Sequence, residues 1–165
     1  YDAAVEMFGK LLADYPGGLL RGEARLLQAQ AFLTQKRSAE AAGILRTLLA
    51  DQPVYENDPR AALAYGVALF EVGKSSEALA RLEGLKSPLA CLYAGRALMQ
   101  IGKPLVAVEK FRQVIQSDPQ GHWTELSKYL SAEAFFAAKD FLSAMQGYEQ
   151  FLLAYPQSPL RPGTI

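Results

Sequence analysis

The stretch GVALFEVGKS, residues 66–75, contains the glycines, the lysine and the serine of a phosphate-binding loop. In such a loop four residues separate the two glycines, and the loop follows a β-strand. Here six residues separate Gly66 from Gly73, and they have the apolar spacing of a helix. The same glycine–lysine pair recurs at Gly102 and Lys103. We therefore interpret both places as turns between helices rather than as nucleotide sites.

The single histidine and the single cysteine give little scope for catalysis or metal binding. His122 lies in QGHWTE and has no second histidine or cysteine to complete a metal site. Cys91 lies seven residues before Leu98, on one apolar helical face, and we predict that it is buried. Acidic residues such as Asp51 and Glu56 lie near loops, and their spacing pairs no two carboxylates for acid–base chemistry. We predict no catalytic residue, no cofactor, no metal and no enzyme activity.

Composition restricts the class of partner. The chain has 165 residues, half of them hydrophobic, with 17 basic and 17 acidic side chains, which is typical of one folded domain without a bulk charge for nucleic acid or anionic lipid. No apolar run approaches the roughly 18 residues of a membrane span, so we expect no direct membrane insertion. The chain starts at Tyr1 without a methionine, and we expect that the natural protein extends before it.

Three series of residues recur along the chain with matching spacings. An alanine recurs at spacings of 37, 37, 29 and 37 residues, and so does a large residue four positions later. Another small residue recurs upstream at spacings of 37, 29 and 37. The members are Ala4, Ala41, Ala78, Ala107 and Ala144; Phe8, Leu45, Leu82, Phe111 and Tyr148; and Ala29, Gly66, Gly95 and Ala132. Their agreement indicates an internal repeat.

Each repeat contains two helical patterns separated by a short polar turn. Leu63, Val67 and Phe70 have helical spacing before the turn EVGKSSE. Leu79, Leu82 and Leu85 have it afterwards. We predict that the small residues let two helices approach closely and that the large residue fills the space beside the crossing. A proline follows most second helices and stops them. These prolines are Pro16, Pro53, Pro119 and Pro156.

This series of small residue, large residue and closing proline resembles the tetratricopeptide repeat (TPR), and the resemblance covers nearly the whole chain. It implies an all-α fold, a right-handed superhelical solenoid of about nine antiparallel helices in a single array over residues 1–165. The array would consist of the second helix of a truncated repeat at 1–16, four repeats at 21–53, 59–87, 88–119 and 124–156, and a tail at 157–165.

One repeat departs from the common length. The unit from Gly66 to Gly95 is 29 residues long, eight fewer than its neighbours. We predict a truncated second helix near Ser75 to Leu85, because RLEGLKSPLA leaves almost no loop before the next helix. Ser87 is then expected to cap that next helix, with Pro88 at its first position.

In TPR arrays the first helix of each hairpin lines a concave groove that binds peptides or extended segments. The resemblance therefore implies a mostly apolar partner-binding groove, in which a few polar groups orient the bound segment. The predicted groove residues are Leu26, Gln30, Leu33, Thr34, Arg60, Leu63, Val67, Phe70, Leu92, Arg96, Met99, Tyr129, Glu133 and Phe136. The alternative is that several of them pack against the adjacent hairpin. The lysine and asparagine clamp of co-chaperone members is absent, since Asn57 is the only asparagine.

The sequence thus predicts a non-enzymatic scaffold or adaptor that binds a peptide or helix of a protein partner. The alternative is a structural spacer within a longer TPR superhelix. The stretches LADYP and LLAYPQSPLRP are similar to bacterial envelope members of the family, the Tol-Pal coordinator and the lipoprotein of outer-membrane protein assembly. That likeness implies a periplasmic or envelope location, with a cytoplasmic one as the alternative. Both ends lack a covering helix, so we also expect that end-to-end self-association can occur.

Overall fold

The computed structural model describes residues 2–15, 17–18 and 20–160, with the backbone alone at Asp2 and Ala4. Over these residues the chain is helical and contains no β-strand, so the predicted all-α class is confirmed. The predicted contacts of Tyr1 and of the Ala4 side chain, the stop at Pro16 and the last part of the tail lie outside the described residues.

The chain divides into two compact units between Leu82 and Glu83, and each is built from hairpins of antiparallel helices. The prediction of one continuous array stays a prediction. The first unit contains α1 (Asp2–Asp14), α2 (Arg21–Thr34), α3 (Ser38–Asp51), a 3-10 helix (Pro53–Asn57), α4 (Pro59–Glu71) and α5 (Ser75–Leu82). The second unit contains α6 (Pro88–Gln100), α7 (Pro104–Ser117), α8 (Thr124–Ala137) and α9 (Phe141–Ala154). Within each unit, every α-helix packs on the α-helix that follows it in the chain.

The close crossings predicted from the small and large residues are confirmed in the two repeats whose small residue is a glycine. A Cβ atom added to Gly66 of α4 would lie 2.5 Å from Cγ of Leu82 in α5. A Cβ atom added to Gly95 of α6 would lie 2.5 Å from the ring of Phe111 in α7. Leu82 and Phe111 are both fully buried. Glycine is therefore needed at both crossings because any side chain would occupy the space of the large residue from the second helix.

The turn between the two helices of each hairpin also follows the repeat. One residue in each turn has a positive φ: Lys36 (62°), Gly73 (80°), Gly102 (76°) and Lys139 (62°). This left-handed conformation suits glycine and is unfavourable for a residue with a Cβ atom. The two lysines therefore adopt a conformation that the glycines adopt at the same position without strain.

The short repeat has the predicted structure, with one boundary shifted. The second helix α5 has eight residues and ends at Leu82, three residues before the predicted end. Gly84 follows it with a φ of 86°. The hydroxyl of Ser87 accepts a hydrogen bond from the backbone N–H of Ala90, and Pro88 occupies the first position of α6. The predicted cap and helix start are therefore confirmed.

Candidate partner-binding surface

The glycine–lysine turn at residues 73–74 closes the end of α4. The backbone N–H of Gly73 donates to the carbonyl of Phe70, and that of Lys74 donates to the carbonyl of Leu69, both at 2.9 Å. These paired bonds form a Schellman cap. The amides that a phosphate would require are used by the helix, so the interpretation as a turn is confirmed.

Cys91 and His122 occupy different environments, and neither is placed with catalytic partners. Cys91 is 4% exposed, and its Sγ lies 3.5 Å from Oε1 of Gln113. Burial raises the pKa of its thiol, although the charge of Lys110 opposes this, so the reactive thiolate is disfavoured. His122 is exposed beside Trp123, with their ring centroids 4.5 Å apart. Among the described residues, no group of three His, Cys, Asp or Glu side chains is placed to hold a metal ion.

Three of the predicted groove residues belong to the core instead. Leu26, Leu92 and Phe70 are 0%, 1% and 5% exposed. Leu26 and Leu92 each stand three residues before a close-crossing residue, at Ala29 and Gly95, and Phe70 stands four residues after another. The equivalent residues of other repeats, such as Leu63 and Phe136, are half-buried or exposed, so burial at these positions differs from one repeat to another. The assignment of Leu26, Leu92 and Phe70 to a partner surface was wrong.

The other six predicted apolar residues remain partly accessible on the first helices of the hairpins. Leu33, Leu63 and Val67 of the first unit and Met99 and Tyr129 of the second are half-buried, and Phe136 is 57% exposed. Leu33, Met99 and Phe136 stand at the same position of their repeats. We call these six residues the first-helix face. The name applies to the three residues of each unit separately.

Arg60 is exposed and takes part in an ion-pair network, and its partner-binding role stays a prediction. Its guanidinium donates to both carboxylate oxygens of Glu23 in α2, at 2.7 and 3.0 Å, and to Asp58 at 2.8 Å. Asp58 also caps α4 by accepting from the backbone N–H of Arg60 at 2.8 Å. Hydrogen bonds from Arg60 lower the pKa of Asp58, and those to Glu23 and Asp58 raise the pKa of Arg60. Two carboxylates thus face one guanidinium, so the cluster of three side chains carries a net negative charge.

Glu133 is likewise engaged within its own hairpin. The hydroxyl of Tyr148 in α9 donates to its carboxylate, and the ring of Tyr129 lies 6.1 Å from that of Tyr148. Burial, followed by the hydrogen bond to Glu133, raises the pKa of both tyrosine hydroxyls. Through the hydrogen bond from Tyr148, Glu133 helps to fasten α8 to α9.

The remaining polar residues border the apolar side chains. Gln30 and Arg96 are half-buried, and the guanidinium carbon of Arg96 lies 5.2 Å from the ring centroid of Tyr93. Thr34 is exposed, and its hydroxyl donates to the carbonyl of Ala31 at 2.7 Å. The partner-binding roles of Gln30, Thr34 and Arg96 stay predictions.

Sequence reasoning missed Glu23 and the polar role of Tyr148. Glu23 and Arg60 are 37 residues apart, which is one repeat, so equivalent positions of neighbouring first helices place them side by side. That signal was present in the repeat spacing. Tyr148 was assigned only as the large residue of its crossing, and its spacing from Glu133 carried no sign of the hydrogen bond.

In these hairpins a small residue of the first helix packs against a large residue of the second, and a turn with one left-handed residue joins the two helices. Hairpins of this kind define a helical-repeat protein. Models of the tetratricopeptide repeat match residues 1–56 and 127–158, which together are just over half of the chain. The chain belongs to the tetratricopeptide repeat family. Members of this family are in general non-enzymatic scaffolds that bind other proteins.

Solved structures share the fold at low sequence identity. A putative kinesin light chain with TPR-like repeats from Podospora anserina is 20% identical, with 94% of this chain and 87% of that chain covered and a TM-score of 0.74. The MamA protein is 15% identical over 99% and 87% of the two chains, with a TM-score of 0.78. A thermophilic TPR protein of Thermus thermophilus is 20% identical over 98% and 87%, with a TM-score of 0.64. These likenesses show the fold alone.

No match was found among curated protein sequences. None of the helices in the described part of the chain has the length and apolar character needed to cross a membrane.

Proposed function

We propose that this protein is a scaffold or adaptor that binds a peptide or helix of a partner protein on the first-helix face. The observation that carries the proposal is the position shared by Leu33, Met99 and Phe136. At this position the side chain is apolar in every repeat, and in these three it is left partly accessible by its own unit. Apolar side chains that stay accessible at the same position of several repeats favour a role of that position in binding.

The charges of this surface favour a partner held by apolar contact. Two of the predicted polar anchors already have partners within the chain: Arg60 is ion-paired with Glu23, and Glu133 accepts a hydrogen bond from Tyr148. These contacts compete with binding of a partner's charge, which reduces the gain from such binding. The bound segment therefore supplies apolar side chains at helical or extended spacing, and binding depends weakly on salt concentration.

A location in the bacterial envelope is part of the proposal. It is supported by the two terminal stretches that are similar to envelope members of the family and by the 37-residue period. The partner would then be another component of an envelope complex. A cytoplasmic location is the alternative, and it leaves the mode of binding unchanged.

Affinity capture with matched variants tests the proposal. Phe136→Glu and Met99→Glu are expected to abolish capture of a partner from an extract of the source cells. Leu105→Glu is the control, because Leu105 is 58% exposed on a second helix and Phe136 is 57% exposed on a first helix. If the first two variants capture the same proteins as the wild type, or if Leu105→Glu loses them equally, the spacer function is favoured instead.

A further inference from the structure

A cavity of about 490 Å³ lies in the second unit, between residues 84–86, α6 and the last turns of α7. Lys86 lines it from the loop before α6. The side chains that line it from the two helices are Cys91, Lys110, Gln113, Gln116 and Ser117. We call it the lysine cavity, after Lys86 and Lys110. Among the described residues of its lining, none belongs to the first-helix face.

The lysine cavity carries charge of one sign. Lys86 and Lys110 both line it, and no Asp or Glu is among the described residues of its lining. Glu109, next to Lys110 in the chain, forms an ion pair with Arg112 at 3.0 Å instead. Neither lysine makes an ion pair with a described carboxylate. Because the whole chain has 17 basic and 17 acidic side chains, two unpaired lysines at one cavity are a local excess of positive charge.

A further group of the cavity can donate to an anion. The Oε1 atom of Gln113 lies 3.5 Å from Sγ of Cys91, so the NH₂ end of the amide remains for a ligand. Burial raises the pKa of the Cys91 thiol and the charge of Lys110 opposes this, so the positive charge of Lys110 reaches the thiol in the lining. The lysine cavity thus brings together two ammonium groups and one amide as donors.

The next repeat shows that the lysine pair is not needed to form such a cavity. The equivalent cavity there has a volume of about 400 Å³. By the repeat spacings of 29 and 37 residues, Ile115 and Gly147 occupy the positions of Lys86 and Lys110, and both line that cavity. Packing alone therefore does not account for the two lysines, and their charge favours a role in binding an anion.

We propose that the lysine cavity binds the carboxylate of a Glu or Asp side chain in an acidic segment of a partner protein. Two unpaired ammonium groups complement a carboxylate. The cavity is open to solvent, since Lys86, Gln113 and Gln116 are exposed. Sites for free small molecules bury roughly 70–90% of the ligand, so an open cavity suits a carboxylate carried by a larger partner. The site does not depend on the first-helix face, and its binding weakens as the salt concentration rises.

Fluorescence anisotropy with an acidic peptide tests the proposal. Fluorescein-labelled hexaglutamate is titrated with the full chain at low and at high salt concentration, and labelled hexaglutamine is the control peptide. Hexaglutamate is expected to bind, more weakly at high salt, and hexaglutamine is expected not to bind. Absence of hexaglutamate binding would overturn the proposal while leaving the first-helix face to its own test. Equally tight binding of free glutarate would also overturn it, because the ligand would then be a small dicarboxylate.

Variants locate the binding. Lys86→Gln and Lys110→Gln should each weaken hexaglutamate binding about two- to fivefold, as expected for a solvent-accessible ion pair. Lys128→Gln is the control and should leave binding unchanged, because Lys128 lines the equivalent cavity with its Nζ 5.2 Å from the ring centroid of Tyr155. Circular dichroism verifies that each variant is folded. If the first two variants bind as the wild type does, or if Lys128→Gln weakens binding equally, the proposal is overturned. If sedimentation shows that the protein without peptide is a dimer which Lys110→Glu dissociates, the occupant is a second copy and the proposal is likewise overturned.

Discussion

The close crossing of α4 and α5 predicts that replacing glycine by alanine lowers stability at one site and raises it at another. Gly66→Ala places a Cβ atom 2.5 Å from Cγ and 2.6 Å from Cδ2 of Leu82. Leu82 is 1% exposed and has no open space into which to turn. Gly43→Ala, in α3 of the same unit, places a Cβ atom with nothing within 4 Å. The second variant is the matched control for the first.

The magnitudes follow from two opposing effects. Alanine in place of glycine within a helix gains about 0.5–1 kcal/mol, since it loses less backbone entropy on folding. Overpacking a filled crossing costs about 1–3 kcal/mol. We therefore expect Gly43→Ala to stabilise the first unit by about 0.5–1 kcal/mol and Gly66→Ala to destabilise it by about 1 kcal/mol. Both variants share the gain of alanine over glycine in a helix. Subtracting one change in the free energy of unfolding from the other therefore leaves the cost of overpacking the crossing, about 1–3 kcal/mol.

Urea unfolding followed by circular dichroism measures both effects. The midpoint should rise for Gly43→Ala and fall for Gly66→Ala, with unchanged slopes. In a thermal melt, each kcal/mol corresponds to roughly 2–4 °C for a chain of this length. If both variants shift stability by the same amount in the same direction, the crossing of α4 and α5 is not as close as described.

Three further predictions concern single residues of the second unit. Lys139→Gly should raise the free energy of unfolding by about 1 kcal/mol in urea titrations, because Lys139 has a φ of 62° and glycine adopts this conformation without strain; no gain would contradict the left-handed turn. Ser127→Ala should also stabilise by about 1 kcal/mol in a thermal melt, since the hydroxyl is buried without a hydrogen-bond partner; a loss would indicate a partner. The raised pKa of Tyr148 favours the folded state at neutral pH, and this stability is lost as pH rises above about 10. Tyr148→Phe should therefore lose less stability between pH 9 and about 11 than the wild type does, and an identical decline would contradict the burial of this hydroxyl against Glu133.

The position of Ser127 shows how far the repeat can be used as a guide. The equivalent residues of the other three repeats are Ala24, Ala61 and Ala90, and all are buried. The sequence alone therefore predicts burial at Ser127. It does not reveal that the hydroxyl lacks a partner, because this depends on which side chains lie near it in the folded chain.

The helices, the close crossings and the caps could be predicted because each depends on residues a few positions apart or on one fixed spacing. The binding face was harder to predict. Helical periodicity correctly grouped Leu26, Leu92 and Phe70 with their neighbours, but it cannot tell which side of a first helix is covered by the second helix. Burial also differs between equivalent positions. Leu26 is buried three residues before its crossing and Tyr129 is half-buried there, and Phe70 is buried four residues after its crossing and Phe136 is exposed there. The ion pair of Arg60 was missed for a related reason, since its partner Glu23 is one repeat away.

Site-specific cross-linking tests most directly whether the first-helix face binds a partner. A photoreactive benzoylphenylalanine is placed at position 99, on the first-helix face, or at position 105, on an exposed second-helix position, and the protein is irradiated in an extract of the source cells. We predict a covalent adduct with one partner protein from position 99 and none from position 105. Equal adducts from both positions, or an adduct from position 105 alone, would contradict a binding role for the first-helix face.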